Sequence, residues 1–406
     1  MRQWLKMRKS TGITLLALLA ILANACLAGL PAPVPQPTLP AAIATASETA
    51  SSTAPATAVA TASATAETVP TWLQVYFTNP NPPDQVENGI DRVAVQAVDH
   101  ATQTVEVASF DFTLPGFTDA LVNAANRGVK VRVVLDEVNG SHTLKASESP
   151  TGKAFDALKT LSSANIKVVN GGRSNGLMHD KMIIIDGTTL FMGSWNMSYN
   201  DTFRNNNNLL VIKDPQLIAN YQAKFDELYV DKRFGTKAVV QALKPELTLD
   251  GVQVENYFSP PDHVMDKLIA YVRAARSSVR FMIFTYTDAA LAAAMIERLN
   301  AGVNVEGVIE ARDAEHGVLP SLFCAKLPVK TDGNKYTMHH KVIIIDDNTV
   351  ITGSFNFTVT ADKANDDNIL VIHSPAVAAL YTQEFDRVYG IGKIPNPADI
   401  DCTNIK

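Results

Sequence analysis

Cysteine is scarce in this chain: Cys26, Cys324 and Cys402 are the three among 406 residues. With Cys26 set aside beside the leader, at most one intrachain disulfide is available. In an oxidising compartment Cys324 and Cys402 are the expected pair, tying the C-terminal tail to the second half of the chain. Two unrelated free thiols are the plainer alternative. Positive charge is also short, with 35 basic residues against 41 acidic ones. Four of the basic residues (Arg2, Lys6, Arg8, Lys9) crowd the N-terminus, so a chain cut after Ala25 keeps 31 against 41, a charge of −10. Such a body attracts long polyanions weakly, which counts against a bulk DNA-binding protein. Long hydrophobic runs are lacking beyond Ile13–Ala25, so paired membrane spans are not expected. His100, His142, His263, His316, His340 and His373 have no partner at ligand spacing. They read as structural or surface residues, and no metal site is expected.

What is present begins with the front end. A basic start followed by an apolar run is a secretory signal pattern, and Ala23-Asn24-Ala25 is a small-x-small cleavage site with Cys26 directly after it. Three readings follow: lipidation at Cys26, plain cleavage, or an uncleaved anchor. The last is disfavoured because the run is barely long enough to span. Each puts the body outside the cytoplasm, extracellular or at the cell surface. Residues 26–71 lack the apolar content to pack, being almost wholly Ala, Thr, Ser and Pro, and are expected to form a disordered tether.

From Trp72 onward the chain repeats itself. Met178-His179-Asp180-Lys181, the run Met182-Ile183-Ile184-Ile185, Asp186 and Gly193-Ser194-Trp195-Asn196 recur as Met338-His339-His340-Lys341, Val342-Ile343-Ile344-Ile345, Asp346 and Gly353-Ser354-Phe355-Asn356. Over these 19 positions 11 are identical without a gap. The apolar run reads as a buried strand, in which residues two apart share a face, so each His and its Lys are expected to point the same way. Around the motifs, strands are expected at 75–77, 104–112 and 209–212 in the first half, and at 256–258, 278–286 and 369–372 in the second. Helices are expected at 84–100, 115–126, 263–275 and 289–300. A final helix in each half carries Tyr221, Phe225 and Tyr229 or Tyr381, Phe385 and Tyr389 on one face, as core. The offset between halves is 174 residues before the motif and 160 at it. The surplus falls in the polar loop 139–153. The organisation expected is therefore two α/β units, 72–240 and 250–395, then a tail 396–406.

The doubled H-x-K-x4-D pattern, each copy followed by G-S-x-N, resembles the phospholipase D superfamily over nearly all of residues 72–395. The resemblance implies two tandem α/β sandwich domains with mixed sheets, related by a pseudo-twofold, and one active site at their seam. It implies a monomer, since one chain carries both motifs. Its catalytic signature falls on His179, Lys181, Asp186, His339, Lys341 and Asp346. Asp186 and Asp346 end their strands beside turns, so for them a supporting or folding role is expected. Lys181 and Lys341 supply charge for phosphate oxygens. Asn196 and Asn356 can donate to the same oxygens, as can Ser194 and Ser354. One neutral imidazole attacks phosphorus while the other protonates the leaving oxygen, with no metal or other cofactor required.

Twenty-eight residues past each His lies a slot where the superfamily carries Glu or Asp. Here it holds Asn207 in the first half and Asp367 in the second. A carboxylate favours imidazolium and an amide does not. If each slot serves the His of its own half, His339 is the general acid and His179 the nucleophile; if the slots cross over, this criterion reverses the roles. Arg173, Lys330 and Lys335 are read either as a basic rim or as ordinary solvated charges. The leading function is phospholipase D action on glycerophospholipids at a membrane. An extracellular nuclease is the alternative, and a catalytically idle phosphate- or partner-binding surface protein the third.

Overall fold

The computed structural model describes residues 68–80, 89–149, 151–174, 176–312 and 314–403. The leader, Cys26, most of the expected tether and the start of the first expected helix lie outside them. Short β-branched runs become strands and amphipathic segments become helices, and both halves use them in the same order. The first eight-stranded sheet runs, edge to edge, Leu73–Phe77, Asn208–Ile212, Thr189–Gly193, Met182–Ile185, Thr104–Ser109, Lys130–Asp136, Val168–Arg173 and Gly176–Leu177. The second runs Glu246–Leu249, Val252–Ser259, Asp367–His373, Thr349–Gly353, Lys341–Ile345, Ser278–Ile283, Asn304–Ile309 and Val329–Thr331. Both sheets are mixed: Thr104–Ser109, Lys130–Asp136 and Val168–Arg173 pair in parallel, as do Ser278–Ile283, Asn304–Ile309 and Val329–Thr331, and the other pairings, including the edge strand Gly176–Leu177, are antiparallel.

The helices Pro115–Asn126 and Ala289–Asn300 fall where they are expected, each ending just before a glycine, Gly128 or Gly302. The strands expected to reach Phe112 and Tyr286 stop at Ser109 and Ile283. Beyond those points the chain leaves the ladder, and Phe112 and Tyr286 make single bridges to Met197 and Phe357. A strand that the periodicity did not reveal follows each motif strand, Thr189–Gly193 and Thr349–Gly353. Its signal was the turn. Asp186 and Gly187 take φ of 50° and 63°, and Asp346 and Asp347 take 54° and 52°, left-handed conformations that suit Gly and Asp in hairpins. The second sheet also begins earlier than residue 250, at Glu246. Cys324 and Cys402 are joined by a disulfide, with Cα atoms 5.6 Å apart.

One core is shared by both halves. Tyr221 and Phe225 of the helix Pro215–Asp226, and Tyr381 and Phe385 of Pro375–Ile391, pack there against Met182, Ile184, Val342 and Ile344. Each half has its own outer core on the other face of its sheet. Buried at the shared core is Lys224, whose Nζ donates to Glu227 Oε2 at 3.0 Å and to Asp366 Oδ1 at 2.8 Å. Burial disfavours its charge, yet Asp366, Asp180 and Glu227 outweigh burial and hold the ammonium well above its ordinary range. The two acids in turn tie down the connection between the halves: Asp366 accepts from Gly235 N, and Glu227 from Val239 N and Val240 N. Lys224→Met leaves these carboxylates buried without their cation. It is expected to cost about 3–5 kcal/mol of stability in denaturant unfolding, and a loss under about 1 kcal/mol contradicts this role.

Candidate active site at the seam

The motif histidines sit just before their strands, at Met182 and Lys341, where each half reaches into the other. His179 N donates to Asp366 O at 3.0 Å, and His339 N to Asn206 O at 2.9 Å. These backbone bonds set the next residues in each segment against each other. His179 Nδ1 meets Asp367 Oδ1 at 2.7 Å, and His339 Nδ1 meets Asn207 Oδ1 at 2.9 Å. The slots therefore cross over between halves, which corrects the own-half pairing. Both oxygens accept, so each ring carries its proton on Nδ1 and leaves Nε2 for chemistry.

Ser194 Oγ donates to Asn207 Oδ1 at 2.8 Å, and Ser354 Oγ to Asp367 Oδ1 at 2.6 Å. Their single protons are thus spent on the slot side chains. This corrects their expected substrate contact: they hold the residues that hold the rings. The preceding glycines make this possible. A Cβ on Gly193, at φ 145°, would come within 2.4 Å of Asn208 O, and one on Gly353, at φ 157°, within 2.1 Å of Asn368 O.

Lys181 Nζ donates to the carbonyl of His179 at 2.5 Å, and Lys341 Nζ to that of His339 at 2.8 Å. Phe110 packs edge-on to His179 with centroids 4.8 Å apart, and Phe284 to His339 at 4.9 Å. Each lysine also lies over its Phe, at 5.2 and 4.9 Å. Both lysines are buried. Burial, opposed by Asp367 and Asp201, lowers Lys181 to about 8. Lys341 is driven well below its usual range by burial and by Lys181. Burial, then the lysines, lower both histidines as well. Burial raises Asp367 to about 7 against the pull of Lys181. Cationic groups crowded out of water against one another form a receptor that an anion relieves.

The remaining expected residues divide. Asn196 is fixed, its Nδ2 donating to Asp201 Oδ2 at 2.5 Å, whereas Asn356 Oδ1 is buried without a partner. Asp186 and Asp346 are away from the rings, which corrects their place in the catalytic set. Asp186 accepts from the backbone of Thr102, Gln103 and Thr104, and Asp346 from Arg276, Ser277 and Ser278. Of the expected basic rim, Arg173 lies at the site, 5.7 Å over Phe110 and paired to Asp136. Lys330 instead donates to Tyr389 O, and Lys335 lies over Tyr336. The counterpart of Arg173 is Arg312, 5.8 Å over Phe284 and paired to Glu310, which sequence reasoning missed. Asp201 was missed too, because its position in the repeat holds Ala361 in the second half. Among the described residues no cluster of three or more His, Cys, Asp or Glu is arranged to hold a metal ion.

Two mixed α/β sheets with paired His–Lys motifs meeting at their seam define a two-lobed site of the phosphodiester-handling type. The family model described as "Cardiolipin synthase, PLD-like domain" matches residues 94–229 and 268–389. The chain belongs to the phospholipase D superfamily. It is 34% identical to a phospholipase D of Rickettsia bellii over 135 residues, 33% of this chain and 67% of that one. It is 32% identical to a mitochondrial cardiolipin hydrolase of Xenopus tropicalis over 131 residues, 32% of this chain and 62% of that one. The fold is like that of a phosphatidylserine synthase of Haemophilus influenzae, with a TM-score of 0.58 and 12% identity over 78% of this chain and 86% of that one.

Burial alone would raise Asp186, but hydrogen bonds from Thr104, Thr102 and Gln103 outweigh it and hold the carboxyl below its usual value. Its stabilising effect is therefore present at neutral pH and is lost as pH falls through that lowered value. Asp186→Ala is expected to cost about 1–3 kcal/mol at pH 7 by denaturant unfolding, while activity per folded molecule is kept. Abolished activity in a fully folded variant contradicts a purely supporting role.

Proposed function

We propose that this protein hydrolyses phosphodiesters through a phosphohistidine, with a glycerophospholipid as substrate. The observation that carries the reading is the pair of buried lysines, one from each half, held beside two imidazoles with matched tautomers. A bound phosphodiester anion compensates both ammonium groups; with one Nδ2 proton of Asn196 committed to Asp201, its other proton and the Nδ2 of Asn356 bind the oxygens as charge builds on them. The amide at position 207 does not argue for an idle site, because it still fixes the tautomer of His339.

His179 is the nucleophile in this reading. The criterion that reverses the roles counts a carboxylate only as a holder of protons. Asp367, bonded directly to Nδ1, also stabilises the cation that forms when Nε2 bonds phosphorus, as the buried acid of a hydrolase triad supports its imidazole. The P–O ester bond breaks as the N–P bond forms, and His339 gives its proton to the leaving oxygen. Neutral His339 then takes a proton from water, whose oxygen bonds phosphorus. The N–P electrons return to His179, and His339 is protonated again.

A lipid substrate is supported by the acidic body, by the secretory pattern expected at residues 1–25 and by the kinds of relative matched, a phospholipase D and a cardiolipin hydrolase. Export, with tethering through the leader or through Cys26, and action as a monomer are parts of the same proposal. Choline release from phosphatidylcholine vesicles, run beside plasmid DNA degradation in chelator, tests the substrate class. Choline release without nicking is expected, and nicking alone would make the protein a nuclease. Quenching turnover with denaturant at alkaline pH, where an N–P bond survives, is expected to place the phosphoryl label on His179; label on His339 contradicts the assignment.

A further inference from the structure

The two halves repeat each other, but their acids do not. Position 207 holds Asn where its counterpart 367 holds Asp, and position 201 holds Asp where its counterpart 361 holds Ala. Positions 201 and 361 are each third in a matching five-residue helix, Tyr199–Phe203 and Val359–Lys363. The first half lacks an acid at one place and carries one at another, six residues earlier.

The new position reaches the same ring. Asp201 is buried, and its Oδ2 lies 3.6 Å from His339 Nδ1, on the ring edge that Asn207 also contacts. Asn196 holds that oxygen through its N at 2.9 Å and its Nδ2 at 2.5 Å, and Asn205 Nδ2 holds Oδ1 at 2.5 Å. These donors keep the carboxylate ionised although burial opposes it, with the charge of His339 the largest favourable influence. We propose that Asp201 replaces the missing slot carboxylate, acting as a positioning residue that supports the His339 imidazolium when the leaving group must be protonated. Resting on the phosphodiesterase reading above, this adds the source of the acid's charge. Asn207 orients the ring, Asp201 supplies the negative field, and the two tasks that Asp367 performs alone for His179 are divided.

The other groups facing His339 are Lys341, Lys181 and His179, which oppose its charge, and the Phe284 ring, which carries none. Asp111 lies within electrostatic reach of Asp201. Without Asp201, none of the charged groups named around His339 favours its protonated form. Activity that needs a protonated acid falls as pH rises through that acid's pKa, so removing Asp201 moves the alkaline limb of kcat to lower pH.

The test compares Asp201→Asn, Asn207→Asp and the double variant on two esters. Phosphatidylcholine needs a proton on its departing alcohol. Bis(p-nitrophenyl) phosphate releases a stable phenolate and does not. Asp201→Asn is expected to lower kcat on phosphatidylcholine roughly tenfold or more, with the alkaline limb displaced downward and a much smaller loss on the nitrophenyl ester. Asn207→Asp in the Asp201→Asn background returns a carboxylate to the ring and is expected to restore the limb. Equal losses on both esters without restoration overturn the inference, leaving Asp201 as an anchor for Asn196. Thermal unfolding of each variant separates misfolding from either result. If the unaltered protein cleaves neither ester, the phosphodiesterase reading falls and this inference with it.

Discussion

The site depends on an exchange of backbone between the halves. His179 N bonds to Asp366 O and His339 N to Asn206 O, so the segment before each motif strand lies along the segment before the last strand of the opposite sheet. Everything chemical follows from this register. Residues 179 and 367 must meet, as must 339 and 207, and the next residues meet as well: Asn368 Nδ2 donates to Asp180 Oδ1 at 2.7 Å. A buried seam made of backbone bonds and paired polar side chains fixes one arrangement, because any slip leaves several of these groups without partners.

The seam also shows how a duplicated pair can change sign while the fold stays. Asp180 faces the charge of Lys224 in the first half. The matching positions in the second half hold His340 and Glu384, whose Nε2 and Oε1 are 2.8 Å apart. Each half keeps one basic and one acidic group between motif and final helix, with the order exchanged. Electrostatic pairing constrains the pair and not the individual residue, which is why comparing positions one at a time misses the relation.

Much of this was legible in the sequence. The uninterrupted repeat around His179 and His339 gave the motif strands and the doubling of the α/β unit, and the superfamily resemblance implied the two mixed sheets and the meeting of both motifs at one seam. The helices 115–126 and 289–300 were marked by the match between halves and by the helix-ending Gly128 and Gly302. The hairpin strands at 189–193 and 349–353 were not assigned, although the second, Thr349-Val350-Ile351-Thr352, is itself a β-branched run and both follow left-handed turns at Asp186 and Asp346. Register across the seam lay beyond reach: a choice between own-half and crossed slots turns on hydrogen bonds between residues 188 and 132 positions apart, and local periodicity carries no trace of it. Ser194 and Ser354 were misread for a related reason, since a hydroxyl beside a glycine reveals its acceptor only once the neighbouring strand is in place. Asp201 and Arg312 escaped because both depart from the repeat that guided the reading.

The central claim is that the two motifs build one anion site between them. Calorimetric titration with tungstate, a phosphate mimic, tests it most directly, using the unaltered chain and the single variants Lys181→Met and Lys341→Met. One tungstate per chain is expected, with binding severely weakened by either substitution alone. Two independent anions per chain, each lost with only its own lysine, would contradict the claim.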